Sequence, residues 1–264
     1  MDQPDPFFVA HPSRDTDFES SPWTRGPWSP AHQHGGPPAA LLARSLETEL
    51  DPGQWRPARV SFELARPVPI GTLRIETTGA YDGGATARRA ARLIDAVTGK
   101  ELMRARALFV RREDTVPLSP PPALPPPPPR TDTRFELTFF TEPVGYHRAM
   151  ELHLTEGEWL KTAVAGWMRM RVPLVAGESP SPLQRVLTVV DAGSGISAVL
   201  DPLAWSFVNA DLDLVLNRPL RGEWVGLRAR TDVGPDGAGI AHSTLFDDDG
   251  PIGYASQSLV VRRR

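Results

Sequence analysis

A few side chains in this sequence stand where they could do chemistry. Asp211 lies seven positions before the pair Arg218-Pro219, and Gln257 lies just before the apolar run Leu259-Val260-Val261. A carboxylate can take a proton from water as a general base, and an amide can fix the orientation of a bound water. His34-Gly35-Gly36 leads into a helix-forming run. The start of a helix offers unpaired N–H donors at its positive dipole end, a place for a developing oxyanion. Glycine there would let a ligand approach the backbone closely. Each residue also has a plainer reading. Asp211 and Asp213 share one face of an alternating strand, with Leu212, Leu214 and Leu216 on the other, which is the pattern of a solvated face. Gln257 alone reads as a sheet-surface amide. Asp191, near a helix end, reads as a capping or hydrogen-bonding residue, and Trp159, Trp167, Met168 and Met170 read as core and interface. His32 and His34 form a His-x-His with no further ligand cluster, so no metal is expected. The chain has no cysteine, which excludes thiol catalysis, disulfides and thiolate metal sites.

The elements that must position these groups follow from the hydrophobic pattern. Residues 5–31 fit one or two short strands. Pro37-Pro38 suits a first helical turn. The run Ala39 to Leu50 that follows has strong helix formers, with Leu42, Leu46 and Leu50 four apart, and Asp51-Pro52-Gly53 stops it. Period two then takes over: Val60, Phe62 and Leu64, next Leu73 and Ile75, then Thr86 to Ile94 and Glu101 to Val110. With no second helix in this half, the helix is expected to bury its stripe against the sheet. The second half predicts strands over Phe135 to Phe140, Tyr146 to Leu154 and Glu158 to Val172. A helix follows from Ser181-Pro182 through Leu183, Val186, Leu187 and Val190. Further strands are expected over Phe207 to Leu216, Trp224 to Thr231, Ala238 to Phe246 and Ile252 to Val261.

The two halves repeat one another. Arg66-Pro67 and Arg218-Pro219 stand 152 positions apart, each followed by strand-like residues, an Asp-Gly turn and a terminal strand ending in Arg-Arg. This predicts a unit over 1–114, a proline-rich linker over 115–132 and a second unit over 133–264. The run Pro117 to Pro129 favours polyproline II and a stiff spacer reaching about 40 Å. Aligned on the repeat, Asp211 corresponds to Arg59 and Gln257 to Arg106. One site per chain, on the second copy, is therefore expected. At 264 residues, 40% hydrophobic and 23% charged, the chain can bury a substantial core. A net charge of −3 gives no reason to expect nucleic acid or an anionic membrane as partner. No apolar stretch approaches the ~20 residues of a membrane span, and no leader-like segment opens the chain, so a cytoplasmic protein is expected.

In this order, His34-Gly35-Gly36 entering the first helix, Asp211 before Arg218-Pro219, and Gln257 in the last strand resemble the double hotdog acyl-CoA thioesterases, the TesB-like and thioesterase-like group. The resemblance implies an α+β fold, a double hotdog in which two antiparallel sheets each wrap a long central helix and join. It implies hydrolysis of acyl-CoA to a free acid and coenzyme A, an activity of lipid metabolism, without a cofactor. In that family an Asp, a Thr or Ser, and a Gln of the second unit hold and activate water. Carried over by position, these are Asp211, Thr231 and Gln257, with Asp232 one residue from the Thr231 match. His34, Gly35 and Gly36 become the substrate-binding start of the helix. Water attacks directly, so no covalent intermediate is needed. Association into a homo-oligomer through the sheets is a further implication. The alternative reading is a non-catalytic acyl-CoA or lipid-binding hotdog protein. Enoyl-CoA hydration is disfavoured, because no hydratase-type Asp/His segment opens a helix.

Overall fold

The first copy runs β1 (Phe8–His11), β2 (Arg14–Ser20), α1 (Gly36–Glu47), β3 (Trp55–Leu64), β4 (Thr72–Asp82), β5 (Thr86–Asp95) and β6 (Glu101–Arg111) in a computed structural model that describes residues 5–115, 118 and 129–264. The second copy runs α2 (Tyr146–Ala149), β7 (Met150–Glu156), β8 (Val164–Met170), α3 (Pro182–Val190), α4 (Gly193–Ile196), β9 (Trp205–Asn209), β10 (Asp211–Leu216), β11 (Val225–Val233), β12 (Ala238–Asp247) and β13 (Gly250–Arg263). The order of elements is the same, except that the second copy opens on the short helix α2 and breaks its long helix after Val190 and its next strand at Ala210. Nearly all of the proline-rich spacer lies outside the described residues.

All strands join one antiparallel sheet in the order β1-β2-β4-β5-β6-β3-β10-β13-β12-β11-β8-β7, with β9 beside β13. Read outward from the β3–β10 seam, the two halves match strand for strand. Ser61 faces Asp213 across that seam, and these positions are 152 apart, the spacing of the two Arg-Pro pairs. A pseudo-twofold axis therefore passes through this pair, as a duplicated unit closing on itself requires.

Both helices lie on one face of the sheet. The first helix is buried along most of its length, including Leu41, Leu42 and Leu46. It packs on α3 as well as on the sheet, so the partner absent from its own half comes from the other copy. Ser181 caps α3: its Oγ accepts the Gln184 N–H at 3.2 Å, and the Gln184 side chain accepts the Ser181 N–H at 3.3 Å. This capping box explains the sharp start at Ser181-Pro182.

Three expected strands of the second half differ. Residues 135–140 form no strand; Phe135 and Phe139 turn onto Trp159, and Phe140 stacks on His147. The segment alternates apolar and polar residues as a strand would, but its phenylalanines pack on Trp159 and His147 in place of a ladder partner. The Tyr146 segment begins with one helical turn, and its strand starts only at Met150. The Glu158 segment is a turn up to Ala163, with Gly157 and Leu160 in the left-handed region at φ 80° and 67°. Among the described residues no helix is long and apolar enough to cross a membrane.

Candidate active site

The break after α3 is where polar groups converge. Leu183, Leu187 and Asp191 follow at four-residue spacing, so the stripe that buries two leucines also carries Asp191 inward. Its carboxylate meets the start of α1: Asp191 Oδ2 lies 2.9 Å from His34 Nδ1. Asn209, the last residue of β9, donates through Nδ2 to Asp191 Oδ1 at 2.6 Å and to the Asp191 carbonyl at 3.2 Å. The Gly36 N–H reaches both His34 Nδ1, at 3.2 Å, and the Asp191 carboxylate. With Nδ1 carrying its proton toward the carboxylate, that N–H serves Asp191.

Gln257 spans the break itself. Its Oε1 accepts the Ser194 N–H at 3.1 Å, and its Nε2 donates to the Asp191 carbonyl at 3.0 Å. It projects inward with Ala255 and Leu259, as alternation along β13 demands. The Ser194 hydroxyl donates to Asn209 Oδ1 at 3.0 Å. Gln257 and Asn209 therefore hold the Asp191 turn from neighbouring strands; Gln257 keeps one donor and one acceptor site for a water, and Asn209 an acceptor site at Oδ1.

The His34 ring is itself fixed. It stacks face to face on Tyr146, with centroids 3.7 Å apart and planes 4° from parallel. The Tyr146 hydroxyl donates to the Thr188 carbonyl at 2.8 Å. Burial, then the nearby Asp191 charge, keep that phenol well above its usual pKa, so it stays a neutral donor. Burial alone would push the Asp191 carboxyl up. The charge and hydrogen bond of His34, with Asn209 and Gly36, outweigh it and hold the pKa below its ordinary value. Asp191 is thus a buried carboxylate that stays ionised.

The glycines serve packing between helices. Gly35 has ordinary helical dihedrals, but a Cβ there would stand 2.9 Å from Asp191 Oδ2. A Cβ on Gly36 would fall inside van der Waals contact with the Thr188 carbonyl oxygen. They allow α1 and the end of α3 to meet closely enough for His34 and Asp191 to pair.

Asp211, expected as the base, is placed elsewhere. Its carboxylate accepts the Ser258 N–H at 2.6 Å and the Ser258 hydroxyl at 2.8 Å on the outer face of the sheet. Leu212 and Leu214 point to the helices, so Asp211 must point away from them, opposite to Gln257. Thr231 is buried on the inner face, but its hydroxyl pairs with Ser197 Oγ at 2.8 Å under α4. It sits two strands from Gln257, through the pairs Thr231–Ala241 and Ala241–Gln257, which is about 10 Å. Of the expected residues, the structure brings together His34, Gly35, Gly36 and Gln257. Asp191, Asn209 and Tyr146 complete the cluster and were not singled out as site residues from the sequence. For Asp191 a signal existed: an acid on an otherwise apolar helical stripe.

A cavity of about 330 Å³ opens beside this cluster. His34, Tyr146, Ala192 and Gly195 lie at its polar end, while Phe140, Met150, Leu152, Met168 and Ile196 form apolar walls. The irregular segment 134–141 covers it. It suits an apolar chain that ends beside His34, the partner of Asp191.

Comparison with known proteins bears on the family and the fold. Residues 24–110 match the family described as acyl-CoA thioesterase N-terminal domain, and residues 118–261 match the acyl-CoA thioesterase C-terminal domain. No curated protein matches the chain in sequence. Among solved structures, a thioesterase II candidate from Thermobifida fusca is 19% identical with a TM-score of 0.73, over 97% of this chain and 95% of that one. An acyl-CoA thioesterase II from Mycobacterium marinum, TesB2, is 14% identical with a TM-score of 0.69, over 96% and 94%. A hot dog fold protein of unknown function from Alicyclobacillus acidocaldarius is 16% identical with a TM-score of 0.71, over 94% and 93%. At these identities the structural likenesses speak for the fold, and the two family matches, which together span most of the sequence, speak for the chemistry. The chain belongs to the acyl-CoA thioesterase family, as a thioester hydrolase of double hotdog architecture.

Proposed function

We propose that this chain hydrolyses acyl-CoA by direct attack of a water whose proton passes to Asp191. The observation that carries this reading is a buried carboxylate, held ionised by His34, whose ring in turn borders an apolar cavity. Gln257 and Asn209 orient the water through their remaining hydrogen-bonding capacity. The acyl chain lies along Met150, Leu152 and Met168, and its thioester carbonyl faces the start of α1, whose dipole favours the developing oxyanion. The attacking oxygen bonds to the carbonyl carbon, and collapse of the tetrahedral intermediate breaks the carbon–sulfur bond. The acid and coenzyme A leave without an acyl-enzyme. Asp191 takes the place that position in the sequence suggested for Asp211.

Thiol release from acyl-CoAs of several lengths tests this with Asp191→Asn beside Asp211→Asn. Loss of a general base lowers turnover by about 100-fold or more. That loss is expected for Asp191→Asn with the fold intact, while Asp211→Asn stays within about twofold of wild type. Full activity in Asp191→Asn would remove Asp191 from the mechanism.

A further inference from the structure

The two helices meet at both ends. At the end opposite Asp191, Glu47 near the close of α1 abuts the start of α3: its Oε2 accepts Ser181 Oγ at 2.8 Å and Gln184 Nε2 at 3.0 Å. This is the pseudo-twofold counterpart of the Asp191 junction, a carboxylate at one helix end set against the beginning of the other helix. A second cavity, of about 460 Å³, opens there, within the ~300–1,000 Å³ usual for ligand sites. Leu50, Trp55, Phe109, Leu183, Leu216 and Leu220 give it apolar walls.

The charges around it do not cancel. Arg44 is satisfied by Glu178 through two bonds of 2.6 and 2.7 Å. Glu47 is buried enough that its carboxyl is pushed up despite its two donors, which weakens it as a counter-charge. Among the described residues, Arg112 on the cavity wall and its neighbour Arg56, which stands outside the lining, have only carbonyl partners: Arg112 Nε donates to Pro52 O at 2.8 Å and Arg56 Nη1 to Leu216 O at 3.3 Å. Burial and the neighbouring Arg112 charge both work against the Arg56 cation. Among the described residues, neither guanidinium has a carboxylate within ion-pairing distance. Two adjacent cations beside an apolar cavity call for an anion joined to an apolar chain, and guanidinium forks match a carboxylate in geometry.

We propose that this second cavity binds a medium-chain carboxylate, its chain against the leucine and aromatic walls and its head on Arg112 and Arg56. The site binds without cleaving. Ser181-Pro182 stands where the other junction has His34-Gly35, and the two carboxylates on the cavity wall, Glu47 and Glu178, are engaged by the α3 cap and by Arg44.

Calorimetric titration of sodium dodecanoate, kept below its micelle concentration, into the full chain tests this. The expected result is a binding event weakened at least about tenfold in the double variant Arg56→Ala/Arg112→Ala and in Leu220→Trp, which fills the cavity. Both variants are expected to keep their thioester turnover, which shows that they fold. The event should persist in Met150→Trp, which fills the first cavity instead. The proposal is overturned if wild type binds no dodecanoate, if both variants bind it like wild type, or if only Met150→Trp loses it. Equal binding of dodecanol would overturn the carboxylate assignment.

Discussion

At Asp191, burial pulls the carboxyl toward the neutral form while His34 pulls it toward the ion, and His34 with its companions prevails. A folded-state pKa held below the unfolded one contributes stability above the ordinary value of 3.8, and that stability is lost as pH falls through the folded value. Replacing His34 with Gln removes the largest opposing effect and leaves burial in command. The acidic limb of the kcat/KM profile of His34→Gln is therefore expected at higher pH than in wild type. An unshifted limb would mean that another group sets the ionisation. Gly36→Ala should lower stability by about 2 kcal/mol in denaturant unfolding, because the added methyl meets a backbone carbonyl that cannot swing aside. Both residues are legible as candidates in His34-Gly35-Gly36; that the glycines make room for the other helix is visible only in the fold. The outward placement of Asp211 is legible in the sequence. Period two puts it with Asp213 on the face away from Leu212 and Leu214, whereas Gln257 alternates inward with Ala255 and Leu259. Asn209 could not have been found that way, because its role depends on the strand break at Ala210, which no local pattern announces.

Elements with strong local punctuation were the ones readable in advance. The proline-led starts of α1 and α3, the stop after α1 and the alternating strands from β3 to β6 stand close to where their residue types put them. The segment 135–140 departs from its expected strand because phenylalanines suit a strand and a lid-like packing equally well, and contacts outside the segment, with His147 and Trp159, decide between them. That packing has a consequence for substrate length. The cavity beneath the segment is closed at its far side by β7 and β8 through Met150, Leu152 and Met168. Met150→Trp should therefore penalise long chains selectively: kcat/KM for dodecanoyl-CoA is expected to fall about tenfold against butanoyl-CoA, since each excluded methylene costs roughly 1–3 kcal/mol of discrimination. An equal loss for both substrates would place the acyl chain elsewhere.

Across the whole molecule, the repeat was the most informative feature of the sequence, and its spacing of 152 reappears in space as the Ser61–Asp213 pair. What the repeat did not convey is that the helices of the two copies pack on each other. That contact brings His34 of one copy to Asp191 of the other, so the site is a property of the pair of units and not of the second alone. The seam carries its own test. Ser61→Asp would set two carboxylates directly opposite on neighbouring strands, and unfolding experiments should show a loss of up to about 1 kcal/mol that shrinks as salt is raised. The same geometry bears on why two copies should be joined in one chain. If identical separate units closed on this axis, any residue at position 213 would meet itself, and an aspartate would face its own likeness. In a single chain, serine can stand on one side and aspartate on the other. Covalent fusion thus releases each half from having to be compatible with its own mirror role. One helix end is free to keep an ionised carboxylate, while its counterpart is free to diverge.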